Sequence, residues 1–311
     1  MKFAEYLKTL FFLLLFLQFA PPLVKSIKKQ YERMIVPKAR VGLIKIKGIL
    51  YNSDRYNKYL NKFFKDPKIK AILIKMDCPG GASGTAQSIY QEILSLKKKY
   101  NKPIVTLVEN MCASGGYYIA CATDHIIAPP SAVIGSIGTA FQYLFQLKEF
   151  IQSYKIGYKA LTAGKYKTAT DPFVDITEDQ EKMLQGVLKS SYNQFTQDVS
   201  KSRKLTINDK NKWAEGRLFT GSQALSLGLI DAVGSPYTAI KVIREKALID
   251  EKEEILWVKP PKKTGFAKFF DDQENDEGSM FSQCSRFSKL APMVPRLLGF
   301  LQKKLAGKRI V

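Results

Sequence analysis

The sequence contains a single histidine, His125, and only four cysteines, none of which forms a Cys-x-x-Cys pair. One histidine excludes a multi-histidine metal centre and makes any serine–histidine mechanism depend on that one residue. Cysteines without paired spacing, set among apolar or small neighbours, indicate buried thiols and not a disulfide framework. We therefore expect neither a metal nor another cofactor.

Acidic residues are also scarce, because 28 Asp and Glu stand against 49 Lys and Arg, for a formal net charge of +21. Such an excess can indicate binding to nucleic acid or to a membrane surface. Here the charge is spread along the chain, mostly as lysine, and no compact arginine-rich run is present. We expect no nucleic-acid partner, and we attribute the excess to a membrane-facing surface or to a general lysine bias.

A long apolar run lies near the amino terminus. Residues 9–24 are apolar except for Thr9 and Gln18, and Pro21 and Pro22 lie near the end of the run. Sixteen residues are few for a spanning helix, but no clean cleavage site follows, so residues 1–37 are predicted to form an uncleaved signal anchor. More basic residues follow the run than precede it, which by the positive-inside rule alone would place the body in the cytoplasm.

Residues 38–258 alternate between strand-like and helix-like patterns. Five runs are typical of strands: 41–46, 70–76, 104–108, 125–128 and 158–162. Five segments have helical signals: 54–64, 86–96, 145–154, a long helix from the capping box at 177–180, and 237–248. Largely apolar strands that alternate with helices predict an α/β fold with a parallel sheet covered by helices.

The carboxyl-terminal residues differ in character from this body. Residues 271–277 are acidic and polar, and residues 287–305 mix apolar with basic side chains. We predict a polar linker and a basic amphipathic tail in residues 259–311, which either lies on a membrane or a partner or is solvated.

The segment Met111-Cys-Ala-Ser-Gly-Gly-Tyr-Tyr-Ile-Ala120 reads as the end of a strand, a tight turn and a helix. The two glycines after Ser114 leave room for another backbone, and N–H groups at a helix start can face an anion. This pattern fits a serine nucleophile. The alternative is a glycine-rich connection in which Ser114 is an ordinary N-cap.

A serine nucleophile needs a base and an oxyanion hole. His125 follows a charged residue at a strand start, where a surface side chain is expected, so lysine is the other candidate. A lysine accepts a proton only where burial favours its neutral form, and Lys165 and Lys167 lie in a loop of small residues. The turn ending at Gly81 can supply one oxyanion N–H group and Gly115 a second, because both lie at strand carboxyl ends.

Together these residues resemble the signal peptide peptidase A (SppA) family, peptidase family S49, which are membrane-anchored serine endopeptidases of bacteria. The resemblance runs from residue 41 to residue 234. It rests on five motifs in order: the Pro-Gly-Gly turn, the Ala-Ser-Gly-Gly-Tyr-Tyr element, Gly135-Ser-Ile-Gly138, Gly164-Lys-Tyr-Lys167 and the segment 216–231. It implies a Clp-protease/crotonase-like α/β domain that hydrolyses peptide bonds through an acyl-enzyme.

The resemblance also implies a role for each site residue. Ser114 corresponds to the nucleophile, Lys167 to the general base, and Ser136 to the serine that orients that lysine. Gly81 and Gly115 correspond to the oxyanion-hole donors. The family works without a catalytic histidine.

The implied substrates are signal-peptide remnants in the membrane and other unfolded peptides. The implied assembly is a homo-oligomer in which neighbouring subunits supply the serine and the lysine. The implied location is the bacterial inner membrane, with the catalytic domain facing away from the cytoplasm. One departure is Asp77-Cys78 before the Pro-Gly-Gly turn, where the family commonly has Asn-Ser.

Two other functions are compatible with the sequence. A crotonase-like enzyme acting on a coenzyme A thioester would use a similar glycine-rich oxyanion hole. A non-catalytic membrane scaffold of the same fold would keep the domain but lack an intact serine–lysine pair.

Overall fold

The computed structural model describes residues 2–141 and 144–260. The strands are β1 (Lys38–Lys47), β2 (Ile69–Cys78), β3 (Ile104–Ala113), β4 (His125–Ala128), β5 (Val133–Gly135), β6 (Leu218–Thr220), β7 (Ala232–Val233) and β8 (Glu254–Val258). The α-helices are α1 (Lys2–Ile35), α2 (Asp54–Lys65), α3 (Ser83–Tyr100), α4 (Gly115–Ala120), α5 (Lys148–Ser153), α6 (Glu178–Arg203), α7 (Lys210–Trp213), α8 (Gly221–Ser226) and α9 (Pro236–Lys246). All but the first two residues of the predicted tail, 259–311, lie outside the described residues.

The strands form one sheet, in the order β6-β5-β3-β2-β1-β8, and β4 pairs with both β3 and β7. All of these pairs are parallel except β5 with β6. Helices follow β2 and β3 directly and return the chain to the sheet, as parallel pairing requires. The predicted α/β fold with a sheet that is mainly parallel and covered by helices is therefore confirmed.

Successive side chains of the central strands enter two separate apolar cores. Ile44 and Ile46 of β1 pack with side chains of α2, α3, α4 and α6 on one face of the sheet. Val41 and Leu43 of the same strand pack with Ala239 of α9 on the opposite face. Burial of both faces explains why these strands read as nearly continuous apolar runs.

The carboxyl ends of β2, β3 and β5 lie side by side. Cys78 of β2 is paired with Cys112 of β3, and Ala113 of β3 is paired with Gly135 of β5. Because these strands are parallel, the residues that follow them leave the sheet at the same edge. The Pro-Gly-Gly turn, Ser114 and Ser136 therefore meet at one edge of the sheet.

Several local predictions were wrong. Residues 158–162 form no strand, and most of their side chains are exposed, so no neighbouring strand satisfies their backbone groups. The helix predicted at 145–154 is limited to α5. The short strands β5 and β6 and the strand β8 were not predicted, because each depends on a distant pairing partner.

The amino-terminal helix is longer than the apolar run indicates. It includes Pro21 and Pro22, and its segment Glu5–Ser26 has the length and composition of a helix that can cross a membrane. Twenty-two helical residues extend about 33 Å, close to the thickness of a bilayer core. The run of sixteen apolar residues gives too short a length for this helix, because flanking residues continue the helix at both ends.

The last residue of the 216–231 motif has a structural role. The guanidinium of Arg203, on α6, donates to both carboxylate oxygens of Asp231 at 2.9 Å, and the carboxylate also accepts the Ile126 N–H at 2.7 Å. Burial raises the pKa of Asp231, but the hydrogen bonds from Arg203 outweigh burial and hold the pKa below its ordinary value. Asp231 thus ties α6 to β4.

We expect Asp231→Asn to lower the free energy of unfolding by about 3–5 kcal/mol, because it leaves the Arg203 charge buried without a counter-charge. Since the folded-state pKa of Asp231 is depressed, its contribution is present above the unfolded pKa of about 4 and is lost as pH falls through the folded value. Urea unfolding at pH 7 and pH 3 checks both points. Asp179→Asn, which breaks the exposed pair with Lys165, should have little effect; an equal loss in both variants would contradict the role of Asp231.

Candidate active site

Ser114 lies between the end of β3 and the start of α4 in an unusual backbone conformation. Its φ is +50° and its ψ is −124°. The conformation is held because the Ser114 N–H donates to the Gly135 carbonyl at 2.8 Å and the Ser114 carbonyl accepts the Tyr118 N–H at 2.9 Å. The side chain makes no capping hydrogen bond to α4 and lines a cavity instead. The ordinary N-cap interpretation is therefore wrong.

The turn after β2 presents a backbone donor beside Ser114. Leu50 donates its N–H to the Gly80 carbonyl and accepts the Ala82 N–H, both at 2.8 Å, so Gly81 forms a parallel bridge with Leu50. In such a bridge the N–H of the middle residue points away from its partner strand. A Cβ atom placed on Gly115 would lie 3.5 Å from the Gly81 nitrogen, so the two glycines are neighbours.

The N–H groups of Gly81 and Gly115 donate to no other group in the described part of the chain. These two N–H groups lie next to the Ser114 side chain. A Cβ on Gly80, the residue before Gly81, would lie 3.0 Å from the Ser114 Oγ and 3.0 Å from the Gly115 nitrogen. Two neighbouring donors without partners, beside a hydroxyl, are the arrangement that stabilises an oxyanion. Only glycine at position 80, where φ is +115°, allows this approach.

The cavity over this edge has a volume of about 640 Å³. Gly81, Ser114 and Ser136 all line it, so the structure brings these three predicted residues together. Its opposite wall is formed by α6 and by the turn before β6, with the side chains of Gln185, Leu188, Lys189, Tyr192 and Glu215. Leu188, one helical turn after the buried Leu184, lines the cavity.

Ser136 is positioned by the antiparallel pairing of β5 with β6. Its φ is +50°, and its N–H donates to the Arg217 carbonyl at 2.7 Å. A Cβ on the preceding Gly135 would lie 2.7 Å from the same carbonyl oxygen, so the two backbones need a glycine to approach. The start of the 216–231 motif therefore holds Ser136 at the cavity.

Lys167 is not among the residues that line this cavity, and its side chain is exposed. Its loop is tied to the start of α6 by the buried Gln180, whose amide donates to the Lys165 carbonyl and to the Thr168 hydroxyl, both at 3.1 Å. The same glutamine completes the predicted capping box with Thr177, which is confirmed. The capping box thus shapes the loop that carries the lysine.

The two lysines of this loop differ in their partners. Lys165 forms an ion pair with Asp179, whereas the Lys167 ammonium has no ion pair within residues 2–141 and 144–260. Within one chain, the structure therefore brings together Ser114, Ser136 and the two glycines, and it leaves Lys167 apart from them.

His125 is far from Ser114. It pairs with Val105 at the beginning of β3, whereas Ser114 follows the end of that strand. At about 3.3 Å per residue the separation is roughly 25–30 Å. Burial lowers the pKa of the half-buried imidazole, and the nearby Asp231 opposes this shift. Within one chain, this geometry excludes a Ser114–His125 pair.

The cysteine that departs from the family pattern lies under the oxyanion turn. The Gly80 N–H donates to the Cys78 sulfur at 3.3 Å, and the thiol lies 3.7 Å from the Gly80 carbonyl oxygen. Burial raises the pKa of the thiol to about 11, although the backbone hydrogen bond opposes the shift, so it stays protonated at neutral pH. Cys78, Cys112 and Cys121 are all buried, as predicted, and Cys284 lies outside the described residues.

Comparison with known proteins identifies the family. Residues 96–250, which include Ser114, Ser136 and Lys167, match peptidase family S49. A protein of Synechocystis sp. named "Putative protease" is 32% identical over 202 residues, which cover 65% of this chain and 72% of that protein. The chain belongs to peptidase family S49. The resemblance inferred from the five motifs is thereby confirmed.

The chain covers a smaller share of two further relatives. A "Putative protease" of Methanocaldococcus jannaschii is 31% identical over 198 residues, which cover 64% of this chain and 63% of the relative. A protein of Enterococcus faecium named "Putative signal peptide peptidase SppA" is 30% identical over 201 residues, which cover 64% and 58%. The aligned part of the chain thus spans less than two thirds of both of these relatives.

Sequence reasoning did not find the residues that form the far wall of the cavity. Lys189, Tyr192 and Glu215 reach the site only because α6 and the turn before β6 lie over the sheet edge. The Tyr192 hydroxyl donates to the Glu215 carboxylate at 2.6 Å. No local signal distinguishes these side chains from exposed helix and loop residues.

Proposed function

We propose that this S49 protein is a serine endopeptidase in which Ser114 is the nucleophile. The observation that carries the proposal is the pair of N–H groups, of Gly81 and Gly115, that lie beside the Ser114 hydroxyl and donate to no group in the part of the chain that the structure describes. The Ser114 Oγ attacks the peptide carbonyl carbon, and the two N–H groups stabilise the negative oxygen of the tetrahedral intermediate. The C–N bond then breaks, the amine leaves with a proton, and water hydrolyses the acyl-enzyme ester.

The base of this reaction is Lys167 of a second copy of the chain. A lysine in water keeps its proton at neutral pH, and an exposed side chain is therefore no base until another surface buries it. In one chain Lys167 is exposed and lies outside the Ser114 cavity. Docking of two copies would remove the amine from water and place it at the Ser136 hydroxyl, which then orients it.

The segment of residues 141–167, which ends at Lys167, has an apolar surface that is exposed in a single chain. Helix α5 has no buried residue. Among the described residues of 141–167, nine large apolar or aromatic side chains are exposed: Phe141, Leu144, Phe145, Phe150, Tyr154, Ile156, Tyr158, Leu161 and Tyr166. Such density on one segment is typical of a protein interface. A second copy is the occupant that also completes the active site, which supports a homo-oligomer with shared sites.

The proposed location is the bacterial inner membrane. The segment Glu5–Ser26 would serve as the anchor, with the catalytic domain facing away from the cytoplasm. The proposed substrates are signal-peptide remnants and other unfolded peptides. The printed name of the Enterococcus faecium relative and the proximity of an anchored site to the bilayer support this class.

Covalent labelling tests the nucleophile. An acylating β-lactam probe, added to the full-length chain in detergent, should increase the protein mass by one probe, because the Ser114 Oγ opens the ring and forms an ester. Peptide mapping should locate the ester on Ser114. Ser83→Ala, which removes a different hydroxyl at the same cavity, should still be labelled. Labelling that persists in Ser114→Ala would contradict the proposal. In a separate experiment, a rise in the melting temperature of the protein on addition of coenzyme A would favour the thioester alternative.

A further inference from the structure

A basic cavity lies at the edge of the sheet opposite Ser114, and its volume is about 670 Å³. Four lysines line it, at the amino ends of β2 and β3 and in the last turns of α3 and α9: Lys70, Lys102, Lys97 and Lys246. Parallel strands begin at this edge, and the helices that return the chain to the sheet end there. Positive charge from four segments of the chain therefore converges on one cavity.

Only two of these four lysines have a carboxylate partner within residues 2–141 and 144–260. The ion pairs, at 2.6 and 3.0 Å, join Lys97 to Asp124 and Lys70 to Glu253. The Lys102 amine donates instead to two backbone carbonyls, both at 2.7 Å. Burial lowers the pKa of Lys102, and a bound anion would favour its charged form. The cavity thus has an excess of positive charge that an anion can neutralise.

An exposed leucine lies beside this charge. Leu248 lines the same cavity, and 89% of its surface is exposed. It follows α9 with a φ of +50°, at a position where glycine is the usual residue, and the next residue, Ile249, donates its N–H to the Arg244 carbonyl at 2.9 Å. Lysines in a last helical turn also stabilise the helix dipole, but an exposed leucine has no such role. Apolar and basic side chains together are typical of a surface that contacts a membrane.

The amino-terminal helix joins the domain at this same edge of the sheet. Residues 27–35 of α1 and the connecting residues 36–37 separate the candidate membrane segment from the start of β1, a span of at most about 25 Å. Lys70 lies one strand away from β1 and Lys102 two strands away, about 5 and 10 Å. The basic cavity is therefore within reach of the surface of the membrane that would hold the anchor.

We propose that this cavity binds the phosphate headgroup of an anionic phospholipid, with Leu248 inserted into the membrane interface, as a second membrane contact besides the anchor. Lys102 and Lys246 supply the positive charge that no carboxylate neutralises, and basic clusters next to a membrane segment bind anionic headgroups. A lipid suits the site better than a soluble anion, because only a lipid also covers the exposed leucine. The inference rests on the proposed membrane anchor and is independent of peptidase activity.

Lipids with brominated acyl chains test the membrane contact, because bromine quenches nearby tryptophan fluorescence. Full-length Leu248→Trp protein is reconstituted into phosphatidylcholine–phosphatidylglycerol vesicles with and without bromine, and the signal of the wild-type protein is subtracted. We expect bromine to quench the added fluorescence, since an interfacial side chain enters to a depth of about 5–10 Å. Tyr237→Trp is the control: Tyr237 is also exposed but lies at the opposite end of α9, and it should not be quenched.

Flotation of the same vesicles separates this inference from the anchor on which it rests. Protein that does not float with the vesicles overturns both the anchor and the second contact. Protein that floats but shows no quenching of Leu248→Trp, or equal quenching of both variants, overturns the second contact alone.

Charge variants test the headgroup site. A water-soluble, short-chain phosphatidylglycerol is titrated into the full-length protein in neutral detergent, and calorimetry gives the Kd. Lys246→Gln should raise the Kd about fivefold, the effect of removing one lysine near an anionic lipid surface. Lys241→Gln, on the same helix but outside the cavity, should leave the Kd unchanged.

Three other results would overturn the headgroup site. One is equal affinity for phosphatidylcholine of the same chain length, which carries no net charge. Another is equal affinity for inorganic phosphate, which would identify a site for a soluble anion. The third is binding only after deletion of residues 271–277, which would show that this acidic segment of the chain occupies the cavity.

Discussion

Equal amounts of Ser114→Ala and Lys167→Ala protein should cleave peptide when mixed, although each variant alone should be at least about a thousandfold less active than wild type. The reason is that each proposed site takes its serine from one subunit and its lysine from the next. In a randomly mixed assembly, half of the subunits supply Ser114 and half supply Lys167, so about a quarter of the sites are complete. Initial rates after denaturant-free subunit exchange in detergent measure the recovery.

The neighbouring lysine provides a matched control for this experiment. Lys165 shares the loop but forms an ion pair with Asp179, so Lys165→Ala should remain within a few-fold of wild type. A chain that carries both Ser114→Ala and Lys167→Ala should restore nothing when it is mixed with Ser114→Ala. Wild-type activity in Lys167→Ala would exclude that base, and an active monomer at high dilution would exclude the shared site.

Gly81→Ala should lower kcat by about 100- to 1000-fold, the usual effect of removing one oxyanion donor. The added Cβ would lie 2.2 Å from the Leu50 carbonyl oxygen and 2.5 Å from the Leu50 nitrogen, and φ at this position is +152°. The bridge to Leu50 must therefore open, which moves the Gly81 N–H away from the oxyanion position. Because the strained backbone also costs free energy, the melting temperature should fall by several degrees.

Gly84→Ala is the control for this substitution. Gly84 lies three residues later, in α3, and a Cβ there would meet no atom within 4 Å. This variant should keep the wild-type kcat and be more stable by about 0.5–1 kcal/mol, because alanine favours the helix. Steady-state kinetics with circular dichroism melts separates the two variants. The oxyanion assignment would be wrong if Gly81→Ala folded and retained full kcat.

Much of the fold follows from local sequence pattern. The apolar runs of β1, β2 and β3 and the spacing of Ala86, Ile89, Ile93 and Leu96 predict strands and a helix, and all four of these helical residues are buried. The predicted strand at 158–162 failed because a strand needs a neighbour, and the pattern of five residues carries no information about one. The strands β5 and β6 were missed for the converse reason: three residues each form a strand only because distant segments pair with them, β3 and β6 with β5, and β5 with β6.

By itself, the sequence determined the chemistry that is possible at the site. A serine followed by two glycines, a Pro-Gly-Gly turn and a lysine in a loop of small residues are all local features, because backbone freedom and side-chain type belong to single positions. The lone histidine likewise limits the general base to that one imidazole or to a side chain of another type. These features also carried the family resemblance, although none of them shows which residues meet.

Tertiary structure was needed to show which groups have no partner and which side chains share a space. The Gly81 N–H is available because Leu50, thirty-one positions earlier, pairs with the residues on either side of it. Lys167 lies outside the Ser114 cavity because its loop is tied to the start of α6. Each of these features relates segments that are distant in the chain. Strand pairing and helix packing produce these relations, and no local sequence pattern encodes them.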